Sequence, residues 1–166
     1  MPGPRATPEY AKEAAVGYAA AIEHLTAQSE LCLDQAERES RHRNDDHVGT
    51  EHIALGVFAA DPGIAGILGH DGVTEDLFRA QLYDEPGPSP QGRIPLTPRT
   101  QMVLAFARSV ASGDAGAITP RHLMLGVIAE SRDRRQRGFD GPHHLEQATT
   151  AAATSLVTIE SALSGL

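Results

Sequence analysis

The residues best suited to hold a ligand stand together where a helix is predicted to begin. Gly49 is expected to cap this helix, with Thr50 and Glu51 as its first two residues. The free backbone N–H groups of a helix start attract an anion such as phosphate. The Thr50 hydroxyl adds a donor, and the Glu51 carboxylate can pair with a guanidinium through two hydrogen bonds. The simpler interpretation is that Glu51 only stabilises the helix dipole.

A similar segment occurs a second time farther along the chain. Residues His47–Val57 recur, 70 residues later, as Ala117–Val127, with His, Leu, Gly and Val at matching places. Pro120 and Arg121 take the positions of the Thr and the Glu in this second copy. Proline has no N–H to donate, and arginine repels a guanidinium. The second copy is therefore predicted to have lost the site or to have turned to anionic partners. A repeated unit of this length also predicts two similar structural halves.

The histidine and the glycine that both copies share are predicted to be structural. His52 and His122 are expected to donate hydrogen bonds to the backbone or to a neighbouring turn. The spacing of histidines and acids fits no metal motif, so no metal site is predicted. Gly56 and Gly126 fall in the middle of a helix, where Gly costs about 1 kcal/mol relative to Ala. Their presence in both copies predicts the close approach of another helix, with a hinge as the alternative.

Composition limits both the fold and the function. The chain has 166 residues, 40% of them hydrophobic and 4% aromatic, with no Trp, which favours packed helices with an aliphatic core. A net charge of −8 argues against a nucleic-acid partner. No apolar run approaches the roughly 18 residues of a membrane span, and no signal peptide is recognisable. The single cysteine, Cys32, is predicted to be a buried thiol and suits the reducing cytoplasm.

No residue pattern makes a case for catalysis. The only lysine, Lys12, stands in no Gly-Lys-Ser/Thr motif, so the chain lacks a P-loop for ATP. No nucleophile and base can be paired from their spacing, because such groups converge in space and not in sequence. The chain is therefore predicted not to be an enzyme, and no cofactor is predicted.

Four segments are predicted along the chain. Residues 1–24 hold an added helix, capped by Thr7, which packs on the core or serves in docking or dimerisation. Residues 25–84 form the first repeat and residues 85–96 a linker rich in Pro and Gly. Residues 97–166 form a second, degenerate repeat.

The second repeat contains the only basic cluster of this acidic chain. Ser131–Gly141 is predicted to be an Arg-rich loop, and His143–Leu163 to be a helical stretch of one or two helices. The loop is expected to be solvated. The alternative is that it contacts an acidic partner surface or a phosphorylated peptide, and the residues in question are Arg132, Arg134, Arg135 and Arg137.

These motifs together resemble a known family. Gly49–Val57 resembles the Gly-Thr-Glu-His-hydrophobic-x-Leu-Gly signature of the Clp N-terminal repeat, which Clp protease ATPase subunits carry as a substrate- and adaptor-binding domain. Asp61–Leu68 and Pro88–Leu104 are similar to the segments that follow in the family, and the resemblance covers roughly residues 25 to 130. It implies an all-α fold, a pseudo-twofold bundle of two four-helix repeats, here with an extra N-terminal helix. Since the chain stops at Leu166, it also implies a stand-alone binding module without an unfolding motor.

The resemblance implies a function as well. Family members bind phosphoarginine with the signature Thr and Glu of each repeat, and in this chain only Thr50 and Glu51, after Gly49, match. The predicted function is a cytoplasmic, non-catalytic module that binds Clp substrates, adaptors or phosphoarginine-tagged proteins, as adaptor or decoy, with Clp ATPase or protease components as further partners. The alternative is sequestration of a cyclic-peptide antibiotic. The family binds such peptides beside a Phe that opens each repeat, where this chain has Leu25 and Leu96.

Overall fold

A computed structural model describes residues 6–82, 88, 90–139 and 143–166. This part of the chain contains nine α-helices and no β-strand. The helices are α1 (Pro8–Ala21), α2 (Ala27–His42), α3 (Thr50–Ala60), α4 (Pro62–His70), α5 (Glu75–Arg79), α6 (Pro98–Ser112), α7 (Pro120–Gln136), α8 (His144–Ala151) and α9 (Leu156–Ser164). The all-α fold is confirmed, with α2–α5 and α6–α9 as its two halves and α1 as the extra helix.

Short polar side chains begin most of these helices. Thr7, Thr26, Thr74 and Thr97 each accept a hydrogen bond from the backbone N–H three residues on, at 3.1–3.2 Å. Each bond satisfies one of the N–H groups that a helix start leaves without a partner. The cap predicted at Thr7 is confirmed. A short 3₁₀ helix, Ile22–His24, follows α1 and ends at the extended backbone of Leu25, so α1 does not run on into α2.

The two shared glycines are the points where the long helices of each half touch. A Cβ built on Gly56 of α3 would lie 2.1 Å from the carbonyl oxygen of Cys32 in α2. A Cβ on Gly126 of α7 would lie 2.4 Å from the carbonyl oxygen of Val103 in α6. No side chain fits at such distances. The predicted close approach is therefore confirmed in both copies. Cys32 itself is fully buried, and burial raises the pKa of its thiol to about 12, so the predicted buried thiol is confirmed as well.

The two halves are joined by a pair of reciprocal backbone bridges. Leu25, just before α2, pairs with Ile118, just before α7, and Val48, just before α3, pairs with Leu96, just before α6. Each half thus supports the segment that leads into the buried helix of the other half. The last helices cross over in the same way, since α4 packs on α9 and α5 packs on α8.

A hydroxyl group reinforces each bridge from inside the core. The Ser29 Oγ donates to the carbonyl oxygen of Ile118 at 2.6 Å, and the Thr100 Oγ1 donates to that of Val48 at 2.8 Å. Both hydroxyl-bearing residues are fully buried and stand at matching places in α2 and α6. A buried polar group of this kind is stable only with its partner, so the halves are specified as a pair.

The predicted Arg-rich loop is wrong. Helix α7 continues through Ser131 to Gln136, so Arg132, Arg134 and Arg135 are helical, and Arg134 is buried. The stretch after His143 forms two helices, as one of the two sequence interpretations had it. The boundaries of the four segments stay a prediction. Residues 1–5, 83–87, 89, 140 and 141, which belong to the predicted extension, first repeat, linker and loop, lie outside the described residues.

We expect Gly56→Ala to lower the free energy of unfolding by about 2 kcal/mol or more, because its methyl group would overlap the α2 backbone. Gly66→Ala is the matched control. Gly66 is exposed in helix α4, and no heavy atom lies within 4 Å of where its Cβ would stand. Alanine there should raise the free energy of unfolding by about 0.5–1 kcal/mol. Urea unfolding of both variants checks this, and equal stability of the two would contradict the tight helix contact.

Candidate functional site

The start of α3 has the arrangement predicted for it. Gly49 is the N-cap in an extended conformation, and Thr50 and Glu51 are the first two helical residues. Thr50 is nearly covered, with 8% of its surface exposed, whereas 21% of the Glu51 side chain reaches solvent. Glu51 is therefore the more accessible of the two side chains at this helix start.

The Glu51 carboxylate is folded back over its own helix start. A Cβ on Gly49 would stand 2.4 Å from one of its oxygens, and the carboxylate interacts with the N–H of its own residue. Burial alone raises the pKa of Glu51, but His52, this N–H and His144 outweigh that effect. The net pKa lies below the ordinary value, so Glu51 is ionised at neutral pH. Its carboxylate takes up the N–H of its own residue, one of the donors that an anion at a helix start would use.

A histidine holds the backbone just before this helix. Nδ1 of His52 accepts the N–H of Gly49 at 2.8 Å, and Nε2 lies 2.8 Å from Oδ2 of Asp45. Since Nδ1 accepts, the proton of the neutral ring is on Nε2, which donates to Asp45. The prediction of a structural histidine is confirmed: the ring donates to the turn that precedes α3, and it accepts from the backbone.

The second half repeats this histidine arrangement. Nδ1 of His122 accepts the N–H of Thr119 at 3.0 Å, and Nε2 lies 2.8 Å from Oδ2 of Asp114. Sequence reasoning missed both aspartates. The signal available was an Asp seven residues before His52 and eight before His122. The unequal spacing hid this match in the sequence.

The positions that match Thr50 and Glu51 differ in the second half in structure as well as in residue type. Pro120 opens α7, and Arg121 follows it. The Arg121 guanidinium pairs with Asp114 and donates to the carbonyl oxygen of Leu163 at 3.3 Å. Where Glu51 offers a carboxylate, the second half therefore offers an arginine that is bound to its own chain.

The other predicted contact residues are dispersed over the surface. Leu25 and Leu96 are half-buried at the two bridges, and the Leu96 bridge to Val48 places that leucine beside the start of α3. The arginines of α7 and its end pair with acids of this same chain: Arg132 with Glu160, Arg135 with Glu146, and Arg137 with Asp133 and Glu13. They do not form one open basic surface.

A family model for the Clp repeat (R) N-terminal domain matches residues 24–137, which is most of the chain. The chain belongs to this family. The match begins just after α1 and ends with α7 and the turn that follows it, so the signature helices α3 and α7 and their partners α2 and α6 all lie inside it.

Relatives of this Clp N-terminal domain agree with the assignment. It is 28% identical, over 119 residues, to the ATP-dependent Clp protease ATP-binding subunit ClpC of Staphylococcus epidermidis. The match covers 69% of this chain and 15% of ClpC. ClpC of Staphylococcus aureus matches at 28% identity over 119 residues, with 69% of this chain and 14% of the relative covered. The chain thus spans about a seventh of the length of these relatives.

Solved structures show the same fold. The N-terminal domain of ClpD from Arabidopsis thaliana superposes with a TM-score of 0.65 at 22% identity, covering 86% of this chain and 94% of that one. The N-terminal domain of Hsp104 from Candida albicans gives 0.66 at 13% identity, with 84% and 88% covered. At these identities the similarity concerns the fold.

Among the described residues, no group of three or more His, Cys, Asp or Glu side chains is arranged to hold a metal ion. No single helix of the described chain has the length and apolar character to cross a membrane. Helices α3 and α4 have that length and apolar character only when they are taken together, and they are bent by 106° relative to each other.

The buried histidine of this Clp domain gives its stability a pH dependence. Burial lowers the pKa of His52, although Glu51 and Asp45 act in the opposite direction. The unfolded chain takes up this proton near pH 6.5, while the folded chain resists it. Between the two pKa values the unfolded state binds more protons, so stability falls as the pH drops below about 6.5, by up to about 1.4 kcal/mol per pH unit. His143, whose pKa burial also lowers, adds to the same trend.

We therefore expect His52→Gln to flatten the dependence of unfolding free energy on pH between about 5 and 7. Glutamine at this position can still accept the Gly49 N–H as in a capping box, although loss of the Asp45 contact should cost about 1–3 kcal/mol at pH 8. Urea unfolding at a series of pH values checks the slope. His70→Gln, at an exposed side chain, is the control and should leave the slope unchanged. An unchanged slope in His52→Gln would contradict the role given to the buried ring.

Proposed function

We propose that this chain is a non-catalytic, protein-binding module of the cytoplasmic Clp system. Membership of the Clp repeat N-terminal domain family supports binding of substrates or adaptors of Clp ATPases. In this role the chain acts as an adaptor that delivers tagged proteins or as a decoy that withholds them. The ATP-dependent activity named for the ClpC relatives is not part of the proposal, since the chain spans about a seventh of their length.

The observation that supports a specific ligand, phosphoarginine, is the ionised, partly exposed Glu51 over the start of α3. Phosphoarginine joins a guanidinium to a phosphoryl group, so it needs an acid and an anion site side by side. Glu51 supplies the acid, and the N–H groups of the first turn, with the Thr50 hydroxyl, supply the anion site.

Binding follows from an exchange of partners at Glu51. When its carboxylate turns outward to pair with the guanidinium, it leaves the N–H of its own residue, and the phosphoryl group takes its place at the helix start. The charge of that start is then balanced in both states. Only the first half supports this exchange, because Pro120 lacks the N–H and Arg121 carries the wrong charge.

We expect a phosphoarginine peptide to bind with one site per chain and a dissociation constant on the order of 10 µM. Glu51→Ala should weaken this binding about 10- to 100-fold, because it removes charge-assisted hydrogen bonds worth about 1.5–3 kcal/mol. Isothermal titration calorimetry checks both values. Glu9→Ala is the matched control, since Glu9 also lies in a first helical turn, that of α1, and is exposed.

The unphosphorylated peptide, titrated in parallel, separates the tag from its carrier. Binding that is equal for both peptides, or that survives Glu51→Ala, contradicts the phosphoarginine site. An apolar cyclic peptide completes the set. If it binds while phosphoarginine does not, and Leu96→Ala weakens it, sequestration of a cyclic peptide beside Leu96 replaces the proposal.

A further inference from the structure

Helix α1 lies outside the part of the chain that the family model matches, and it packs along α6. The two helices approach closely at Gly17, where a Cβ would stand 2.4 Å from the Cβ of Ala105. Farther toward the N-terminus, Tyr10 and Ala14 form a small buried cluster with Met102 that is separate from the main core. Half-buried Phe106 and Phe139 pack against this cluster.

The α6 surface under α1 is apolar for a reason that the repeat itself does not supply. The contacts of Gly56 and Gly126 match Cys32 and Ala36 of α2 with Val103 and Ala107 of α6. With this register, the face of α6 that α1 covers corresponds to a largely polar face of α2. The matched positions hold Leu31, Asp34 and Gln35 in α2, and Met102, Ala105 and Phe106 in α6. The fold therefore tolerates polar residues there, and the apolar face of α6 is suited to a helix.

Residues that directly follow α7 hold the N-terminal part of α1 in place. The Arg137 guanidinium lies 5.1 Å from the centre of the Tyr10 ring and 3.2 Å from a carboxylate oxygen of Glu13. The Phe139 ring meets the Tyr10 ring edge-on, with 5.6 Å between the ring centres. These contacts define what the surface recognises: an aromatic ring with a carboxylate beside it.

The interface between α1 and the rest of the fold also contains a feature that favours release of α1. The Tyr10 hydroxyl is buried and has no hydrogen-bond partner among the described residues. An unsatisfied buried hydroxyl weakens the contact that buries it. The opposite side of α1 is open to solvent, with Val16 at 67% exposure, so α1 is held along one side only. Because α1 packs against the fold along one side only and carries this unsatisfied hydroxyl, we expect it to open locally before the buried helices α3 and α7 do.

We propose that the face of α6 formed by Met102, Ala105 and Phe106 is a helix-binding surface and that α1 is its built-in competitor. The partner is an amphipathic helix of another protein that carries the pattern of α1 itself. That pattern is an aromatic residue, a carboxylate three positions on, and small residues four and seven positions on, as in Tyr10, Glu13, Ala14 and Gly17. This surface is distinct from the start of α3 and does not depend on the function proposed for it.

The tether sets the strength of the competition. A segment held by a short link reaches an effective concentration in the millimolar range, so a free helix binds the intact chain weakly. Its apparent affinity is the intrinsic one reduced by the fraction of molecules with α1 released. Disabling α1 without touching α6 should therefore reveal the binding surface.

The test uses the full chain with Gly17→Val, which forces α1 away from Ala105. The probe is a fluorescent peptide with the sequence of residues 6–24. We expect this variant to bind the peptide with a dissociation constant on the order of 10–100 µM, and the wild type to bind it at least about 10-fold more weakly. Gly66→Val is the matched control, because Gly66 also lies within a helix but has open space around it, and it should behave like the wild type.

Hydrogen exchange measured on the same proteins keeps the test decisive. Gly17→Val should speed exchange of the α1 amides at least about 10-fold while those of α3 and α7 stay protected. If that variant loses the protection of α3, Tyr10→Ala takes its place as a milder release of α1. A folded variant with an exposed α1 segment that fails to bind the peptide overturns the proposal. So does equal binding of a peptide with Tyr10→Ala, or a wild-type dimer that Gly17→Val abolishes, since a second copy would then be the occupant.

Discussion

The carbonyl groups of Val48 and Ile118 are the points on which the two halves depend. Each lies just before a buried helix, and each is satisfied by the opposite half through one backbone N–H and one hydroxyl. Neither half can complete the start of its own buried helix. Because an unsatisfied buried carbonyl is costly, folding of one half requires the other. The repeat is thus a unit of sequence, while the unit of stability is the pair.

This mutual support also positions the candidate site. The bridge at Leu96 and the hydrogen bond from Thr100 hold Val48, and His52 holds Gly49 through its N–H. The backbone that leads into α3 is therefore fixed from two sides before any ligand is considered. Glu51 therefore stands at a helix start that is held in place by its neighbours, which is the arrangement that the proposed exchange between an internal and an external partner needs.

Sequence reasoning reached the parts of this structure that local chemistry determines. The threonine caps depend on a side chain and an N–H three residues away, and the two mid-helix glycines marked helix contacts because both copies keep them at a cost in helix propensity. The family signature then supplied the assembly of the halves. The start of α3 was located correctly, although the fold of Glu51 back over its own helix could not be foreseen, since it depends on the burial around it.

The wrong and missed predictions concern residues whose partners lie on a different element of the fold. The arginines from 132 to 135 looked like a solvated loop, because their acidic partners at Glu146 and Glu160 lie on helices that follow later in the chain. Asp45 and Asp114 were missed because their spacing to the histidines differs by one residue, and only the folded chain shows that they play the same part. Pairs across different elements carry no periodic signal in a single sequence.

The two halves have diverged at different places, and the divergence explains why the domain is not symmetric. The first half has Thr50 and Glu51 at the start of its buried helix, and its outer helix α2 has a largely polar face. The second half has Pro120 and Arg121 at the matching positions, and its outer helix α6 has an apolar face that α1 covers. Neither change disturbs the glycine contacts or the reciprocal bridges. The glycine contacts and the bridges are buried, whereas the differences lie toward the surface. The two halves can therefore present different surfaces on the same internal framework.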